Sequence, residues 1–92
     1  MNAKVLLSKY IRNSERVFGE IRQLEGPKVP NRDRIAEVVE YAKRYLSDAK
    51  YYGEKQQYET GLVSVAYCEG MLDALRLLGL VTFTWPETKS KT

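Results

Sequence analysis

Apolar residues recur every three or four positions over most of the chain, which predicts three helices. Residues 3–25 and 32–52 each carry one apolar face with charged residues on the opposite side, whereas residues 58–79 are apolar around most of the circumference. Between the first two helices, residues 26–31 contain the glycine, prolines and asparagine of a helix break. Gly53 indicates a C-cap, and the short segment after it turns the third helix back antiparallel to the second.

The pattern changes after residue 79, where large apolar residues alternate with threonine. This period of two is typical of a β-strand, but a lone strand has nothing to pair with in a helical chain. We therefore expect residues 80–92 to form an extended tail that lays Phe83 and Trp85 on the helices; addition to a partner protein is the alternative. Residues 1–92 are interpreted as one all-α domain, an antiparallel three-helix bundle with an extended C-terminal tail.

The third helix carries its charges on one narrow stripe. The stripe consists of Glu69, Asp73 and Arg76, and we expect it to mark the side in contact with water and to order the bundle through ion pairs. A helix at the edge of a small bundle has a broader polar face, so one apolar flank lacks a partner within the chain. Leu62, Val65 and Leu72 lie on one flank and Leu77 on the other, and the pattern does not decide between the two flanks. The predicted interface, for a second copy or another protein, comprises Leu62, Val65, Leu72, Leu77, Phe83 and Trp85.

Carboxylates at helical spacing also raise the question of a metal or catalytic site, since Glu37 and Glu40 on the second helix could join the two acids of the stripe. Arg76 lies one turn from Asp73, and the chain has no histidine, which is the commonest metal ligand and neutral-pH acid or base. We therefore favour a structural ion-pair cluster and expect no catalytic residue, metal or cofactor.

Composition narrows the remaining classes of function. A net charge of +3 is too mild to indicate nucleic-acid binding by itself. Lys9, Arg12 and Arg16 nevertheless form a basic ridge on the outer face of the first helix, which would permit weak contact with phosphates, although a solvated face is favoured. The single cysteine, Cys68, is interpreted as a buried residue. Lysines interrupt the N-terminal apolar run, and no uncharged run reaches bilayer length, so we expect a cytoplasmic protein without a membrane segment.

The second half of the chain is similar to a known family. Residues 66–79, AYCEGMLDALRLLG, follow a tyrosine-rich helix and a short turn. This run resembles the A-Y-x-E-G-x-L-D-A-L-R-L-L-G hallmark of DUF357, a family of short archaeal proteins of unknown function, with Cys68 and Met71 at its variable positions. The resemblance implies a three-helix bundle of the immunoglobulin/albumin-binding-domain type and an archaeal origin, and it brings no active site.

The leading hypothesis is therefore a non-catalytic protein-interaction or scaffold module, which acts through a homo-oligomer, in the first place a dimer, or through an unidentified protein partner. A weak RNA- or nucleotide-associated accessory role that uses the basic ridge is the alternative. A metal-dependent nucleotide-processing enzyme is the least favoured hypothesis.

Overall fold

Three helices and one short β-ladder make up the computed structural model, which describes residues 2–26 and 31–86. The elements in chain order are α1 (Ala3–Glu20), β1 (Arg22–Gln23), α2 (Arg32–Glu54), α3 (Tyr58–Leu77) and β2 (Val81–Thr82). The expected all-α three-helix bundle is confirmed. Residues 27–30 of the predicted loop and residues 87–92 of the predicted tail lie outside the described part.

The first helix is shorter than its apolar pattern predicts. The Asn2 side chain caps it, since its Oδ1 accepts a hydrogen bond from the Val5 N–H at 2.9 Å. The helix ends at Glu20, and Ile21 has an extended backbone with φ −61° and ψ 137°. The predicted boundary at residue 25 was wrong, because one further turn of apolar spacing does not distinguish the end of a helix from a short strand.

The residues that follow α1 provide the strand partner that the C-terminal segment was expected to lack. β1 and β2 pair antiparallel, with Gln23 opposite Val81. The expectation of an unpaired strand was wrong, because the partner strand was counted as part of the first helix. The described part of the tail nevertheless packs on the bundle as expected, since Phe83 and Trp85 lie against the core.

The second and third helices form a hairpin through residues 55–57. α2 continues through Gly53, which was predicted to end it, and the left-handed residue of the turn is Gln56, with φ 62°. A Cβ on Gly53 would lie 3.3 Å from Leu7 Cδ2, so this glycine serves the packing of α1 against α2. α3 ends just before its predicted boundary, and Gly79 takes the left-handed position after it, with φ 76°.

One hydrophobic core lies between the three helices. Its buried residues are Leu7, Val17, Ala42, Leu46, Ala49, Val65, Cys68 and Leu72. A smaller cluster beside the β-ladder consists of Ile35, Leu75 and Val81. The helices approach most closely at Gly61, where a Cβ would lie 2.7 Å from Leu7 Cδ2 and 3.3 Å from the Ala49 carbonyl oxygen.

Candidate interaction surface on the third helix

Burial divides α3 into three sides that the sequence pattern did not separate. The buried side consists of Gly61, Ser64, Val65, Cys68, Leu72 and Leu75. The charged stripe lies on a flank, where its half-buried residues adjoin α1 and the C-terminal segment. The side opposite the core is apolar and exposed. The charged stripe is therefore only partly in contact with water, and the most exposed side of α3 is an apolar one.

Asp73 is the centre of a hydrogen-bonded group on that flank. Arg76 donates to Asp73 Oδ1 from Nε at 3.2 Å and from Nη2 at 3.0 Å, and the Trp85 indole N–H donates to the same oxygen at 2.7 Å. The Arg76 guanidinium lies 6.0 Å from the centroid of the Phe83 ring, which meets the Trp85 ring edge to face. The stripe thus binds the C-terminal segment to α3.

Glu69 lies beside this group in a shallow cleft of about 320 Å³, which Tyr10, Asn13 and Asp73 also line. Burial raises the pKa of the Glu69 carboxyl above its ordinary value of 4.5, and the negative charge of Asp73 raises it further. A raised pKa can accompany a functional site, but the packing of α3 against α1 is sufficient to explain this one.

Cys68 and Ser14 are both fully buried between α3 and α1. Burial raises the pKa of the Cys68 thiol to about 11, although the adjacent Ser14 side chain opposes that shift. The thiol is therefore protonated at neutral pH, and the interpretation of Cys68 as a buried residue is confirmed.

The acidic residues singled out on α2 have other neighbours. Glu37 lies 3.9 Å from Arg34, and Glu40 lies 3.3 Å from Lys43, all four on exposed parts of α2. Within the described part of the chain, no three side chains of the His, Cys, Asp or Glu type converge as metal ligands. The structure thus does not bring Glu37 and Glu40 together with the two acids of the stripe.

The side of α3 opposite the core exposes a continuous apolar surface, here named the outward face. Its residues are Val63, Ala66, Tyr67, Gly70, Met71, Ala74, Leu77 and Leu78. The four large exposed side chains are Val63 at 58%, Tyr67 at 57%, Leu77 at 74% and Leu78 at 72%. A shallow groove of about 570 Å³ is lined by Val63, Ala66, Tyr67, Gly70, Met71 and Ala74. Tyr67 also stacks on Tyr45, with ring centroids 5.2 Å apart, so the surface continues onto α2.

The predicted interface overlaps the outward face at Leu77 alone. Val65 and Leu72 are 1% and 0% exposed, so they belong to the core and cannot contact a partner; their assignment was wrong. The members that are half-buried against the core cluster are Leu62, Phe83 and Trp85. The error arose because a helix that is apolar on nearly all sides does not reveal which apolar side packs inward.

The spacing of small residues along α3 is a signal in the sequence for the outward face. Ala66, Gly70 and Ala74 follow one another four positions apart, so three small residues lie in line on a helix whose other apolar residues are mostly large. A line of small residues indicates either a close contact with another element or a side that no other element covers. Ala66, Gly70 and Ala74 are exposed, so no element of the described part of the chain covers this side.

The basic ridge lies on the side of α1 that faces away from the core, as its spacing predicts. Arg12 and Arg16 are exposed, and Lys9 is partly exposed. Among the described residues, none of the three lies within ion-pair distance of an acidic side chain. The ridge therefore presents exposed positive charge that is not held in an ion pair within the described part of the chain.

Comparison with known proteins agrees with the motif of α3. The family model described as "Protein of unknown function (DUF357)" matches residues 9–81. The chain belongs to the DUF357 family. The DUF357 match includes the basic ridge, the charged stripe and the outward face, and the description of the family states no activity. No curated protein and no solved structure matches the chain. Across the described residues, no helix is long and apolar enough to cross a membrane.

Proposed function

We propose that this DUF357 protein is a non-catalytic protein-interaction module and that the outward face of α3 is its binding surface. The observation that carries the proposal is the exposure of Val63, Tyr67, Leu77 and Leu78 on one side of one helix. Single exposed apolar residues are ordinary, but contiguous apolar patches mark sites of interaction.

The dimensions of the outward face suit a protein partner. Val63 and Leu77 are separated by about 21 Å along the helix axis at 1.5 Å per residue. Burial of apolar surface is favourable by about 25 cal/mol per Å², so a partner that covers this length of helix gains a useful part of its binding free energy from the hydrophobic effect alone. The lining of the groove is almost entirely apolar, which limits the cost of removing water from it.

The arrangement of the charged stripe supports a structural role for its residues. Asp73 Oδ1 accepts hydrogen bonds from Arg76 and Trp85, so this carboxylate binds the C-terminal segment of its own chain. A catalytic carboxylate would have to exchange these partners for a substrate, which supports the proposal that the protein works by binding.

Affinity capture with the immobilised full chain tests the proposal. Wild type is compared with V63K, which places a charge on the outward face, and with V5K, which makes the same change at an exposed valine of α1 (Val5 is 50% exposed). We expect wild type and V5K to retain the same protein from a host extract, or labelled copies of the chain itself, and V63K to lose it. Equal retention by all three folded proteins would contradict a role for the outward face.

A second candidate function is weak, non-specific binding of RNA or nucleotides to the basic ridge. The observation that favours it is the exposed positive charge of Lys9, Arg12 and Arg16, which no acidic side chain among the described residues neutralises. A cytoplasmic location, expected from the sequence, accompanies both candidates and stays a prediction.

A further inference from the structure

The outward face is arranged symmetrically about Gly70. Its central line consists of Val63, Ala66, Gly70, Ala74 and Leu77, which are separated by three, four, four and three positions. At about 100° per residue, these five positions fall within an arc of about 80° on one side of α3. From either end, the line presents a large residue, a small residue, glycine, a small residue and a large residue.

We infer that the outward face binds the same face of a second copy of the chain, with the two α3 helices antiparallel about a two-fold axis beside Gly70. This inference rests on the proposed function, because it names the partner of that surface. The two-fold axis places Val63 against Leu77 of the partner subunit and Ala66 against Ala74 of the partner subunit. Helices that cross at Gly70 diverge toward their ends, where the larger side chains fill the widening space. Such self-complementarity is what a closed dimer requires.

Within the described part of one chain, nothing explains a glycine at position 70. Among the described residues, a Cβ on Gly70 would meet no heavy atom within 4 Å, in contrast to Gly61. Gly70 lies inside α3, and it is not among the residues with a positive φ angle. Glycine is less favourable than alanine in a helix interior, so neither the local packing nor the backbone conformation favours it here. At a two-fold axis, the absence of a side chain lets two helix backbones approach closely.

The charge distribution favours a like partner over a charged one. The eight residues of the outward face carry no charge at neutral pH. The acids of α3 itself are Glu59, near the N-terminal end of the face, and Glu69 and Asp73 on the flank, where Asp73 is already paired with Arg76. A basic peptide would leave its charges against an uncharged surface, whereas a second outward face buries no charge at the centre of the contact.

The size of the face sets the strength of the dimer. The four large side chains, the small residues between them and the adjacent Tyr45 supply on the order of 500 Å² per copy and about 1,000 Å² for the pair, near the lower limit of specific interfaces. We therefore expect a dissociation constant of about 10–100 µM, which is the range of a reversible association.

Sedimentation equilibrium of the full chain, from about 5 to about 500 µM, measures this association directly. We expect a monomer–dimer equilibrium for wild type. V63K weakens dimerisation at least about tenfold, because a lysine would face an apolar residue of the partner. V5K leaves the dissociation constant unchanged, since Val5 lies on α1 away from the outward face.

G70A separates association from folding. In one chain, the added methyl group enters open space and improves helix propensity, so the melting temperature at low concentration rises by a few degrees, about 2–5 °C. In the dimer, two methyl groups at the axis push the helices apart, and the dissociation constant increases at least about tenfold. An unchanged dissociation constant in G70A overturns the axis beside Gly70.

A charge pair tests the antiparallel register. V63K and L77E each weaken the dimer, whereas V63K/L77E restores it to within about threefold of wild type, because the introduced lysine of each copy faces the introduced glutamate of the other. A parallel pair would place like charges together, so a double variant weaker than both single variants overturns the antiparallel arrangement. A wild type that stays monomeric at every concentration overturns self-pairing altogether. In that case, if V5K still captures a protein from the host extract and V63K does not, the proposed function holds with a different protein as the partner.

Discussion

The indole N–H of Trp85 donates a hydrogen bond of 2.7 Å to Asp73 Oδ1, across twelve positions of sequence. This contact folds the C-terminal segment back onto the helix from which it leaves. It covers the charged flank of α3 and leaves the outward face open. The tail therefore completes the fold of one chain, whereas the outward face stays exposed, and the proposed function assigns that exposed face to a partner.

The first prediction concerns this hydrogen bond. Trp85→Phe keeps an aromatic ring but removes the donor, and Asp73→Ala removes the acceptor. We expect each to lower the free energy of unfolding by about 1 kcal/mol, because the bond joins a charged group to a donor in a half-buried site. In a double-mutant cycle measured by urea denaturation, the two changes are coupled by at least about 0.5 kcal/mol.

The control is Tyr51→Phe, which removes the hydroxyl of an exposed tyrosine and is expected to leave the free energy of unfolding unchanged.

The Asp73→Ala variant also tests the hypothesis of a metal site at the charged stripe. Asp73→Ala is expected to lower the melting temperature equally with and without Mg²⁺. If millimolar Mg²⁺ or Mn²⁺ stabilises wild type and Asp73→Ala loses that response, the structural role of the stripe is wrong.

The second prediction concerns the close approach of the three helices at Gly61. In Gly61→Ala the new Cβ lies 2.7 Å from Leu7 Cδ2 and 3.3 Å from the Ala49 carbonyl oxygen, so the buried Leu7 side chain has to move. We expect a loss of about 1–3 kcal/mol in the free energy of unfolding. Gly19→Ala is the matched control, because no heavy atom of the described residues lies within 4 Å of the added Cβ and alanine favours the helix. Equal effects of the two changes would contradict the packing role of Gly61.

The three-helix architecture could be predicted from the sequence, because the helical period and the break signals are local properties of the chain. The end of α1 could not be predicted, because it depends on the pairing of the residues after Glu20 with Val81–Thr82, far along the chain. Gly53 was assigned to a turn for a similar reason: only the packed structure shows that Leu7 of another helix occupies the space beside it.

The candidate surface was predicted less well than the fold. The unusual proportion of apolar residues on α3 pointed to the helix that carries the exposed apolar face, but Val65 and Leu72 were assigned to a surface although they are buried. The charged stripe was expected to face outward because charges normally do. Here the C-terminal segment uses these charges as hydrogen-bond partners, and that long-range contact has no local signature in the sequence.

The third prediction concerns the pH dependence of stability through Glu69. Its pKa in the folded state is raised above 4.5 by burial and by the charge of Asp73. The stability contributed by the protonated form is therefore present below pH 4.5 and is lost as the pH rises through the folded-state pKa. Glu69→Gln keeps a neutral side chain at every pH, so its stability relative to wild type is expected to increase between about pH 4 and about pH 7.

Urea denaturation of both proteins across this pH range measures that difference. Glu54→Gln serves as the control, because it makes the same change at an exposed position at the end of α2. A difference between Glu69→Gln and wild type that stays constant from low to neutral pH would show that burial does not disfavour the Glu69 charge.

The fourth prediction concerns the basic ridge. Three cations that contact phosphates give a plot of log K against log salt with a slope of only about −3 for a DNA duplex and about −2 for a single strand, so any binding of nucleic acid is weak and non-specific. Fluorescence anisotropy with a labelled single-stranded RNA measures this slope. Arg12→Ala with Arg16→Ala is expected to reduce both the affinity and the slope, because two of the three contacts are lost.

The matched control is Arg34→Ala with Lys43→Ala, which removes the same charge from residues that have acidic neighbours on α2. An equal loss in both double variants would mean that net charge alone attracts the RNA, and tight, sequence-selective binding at high salt would contradict the prediction altogether.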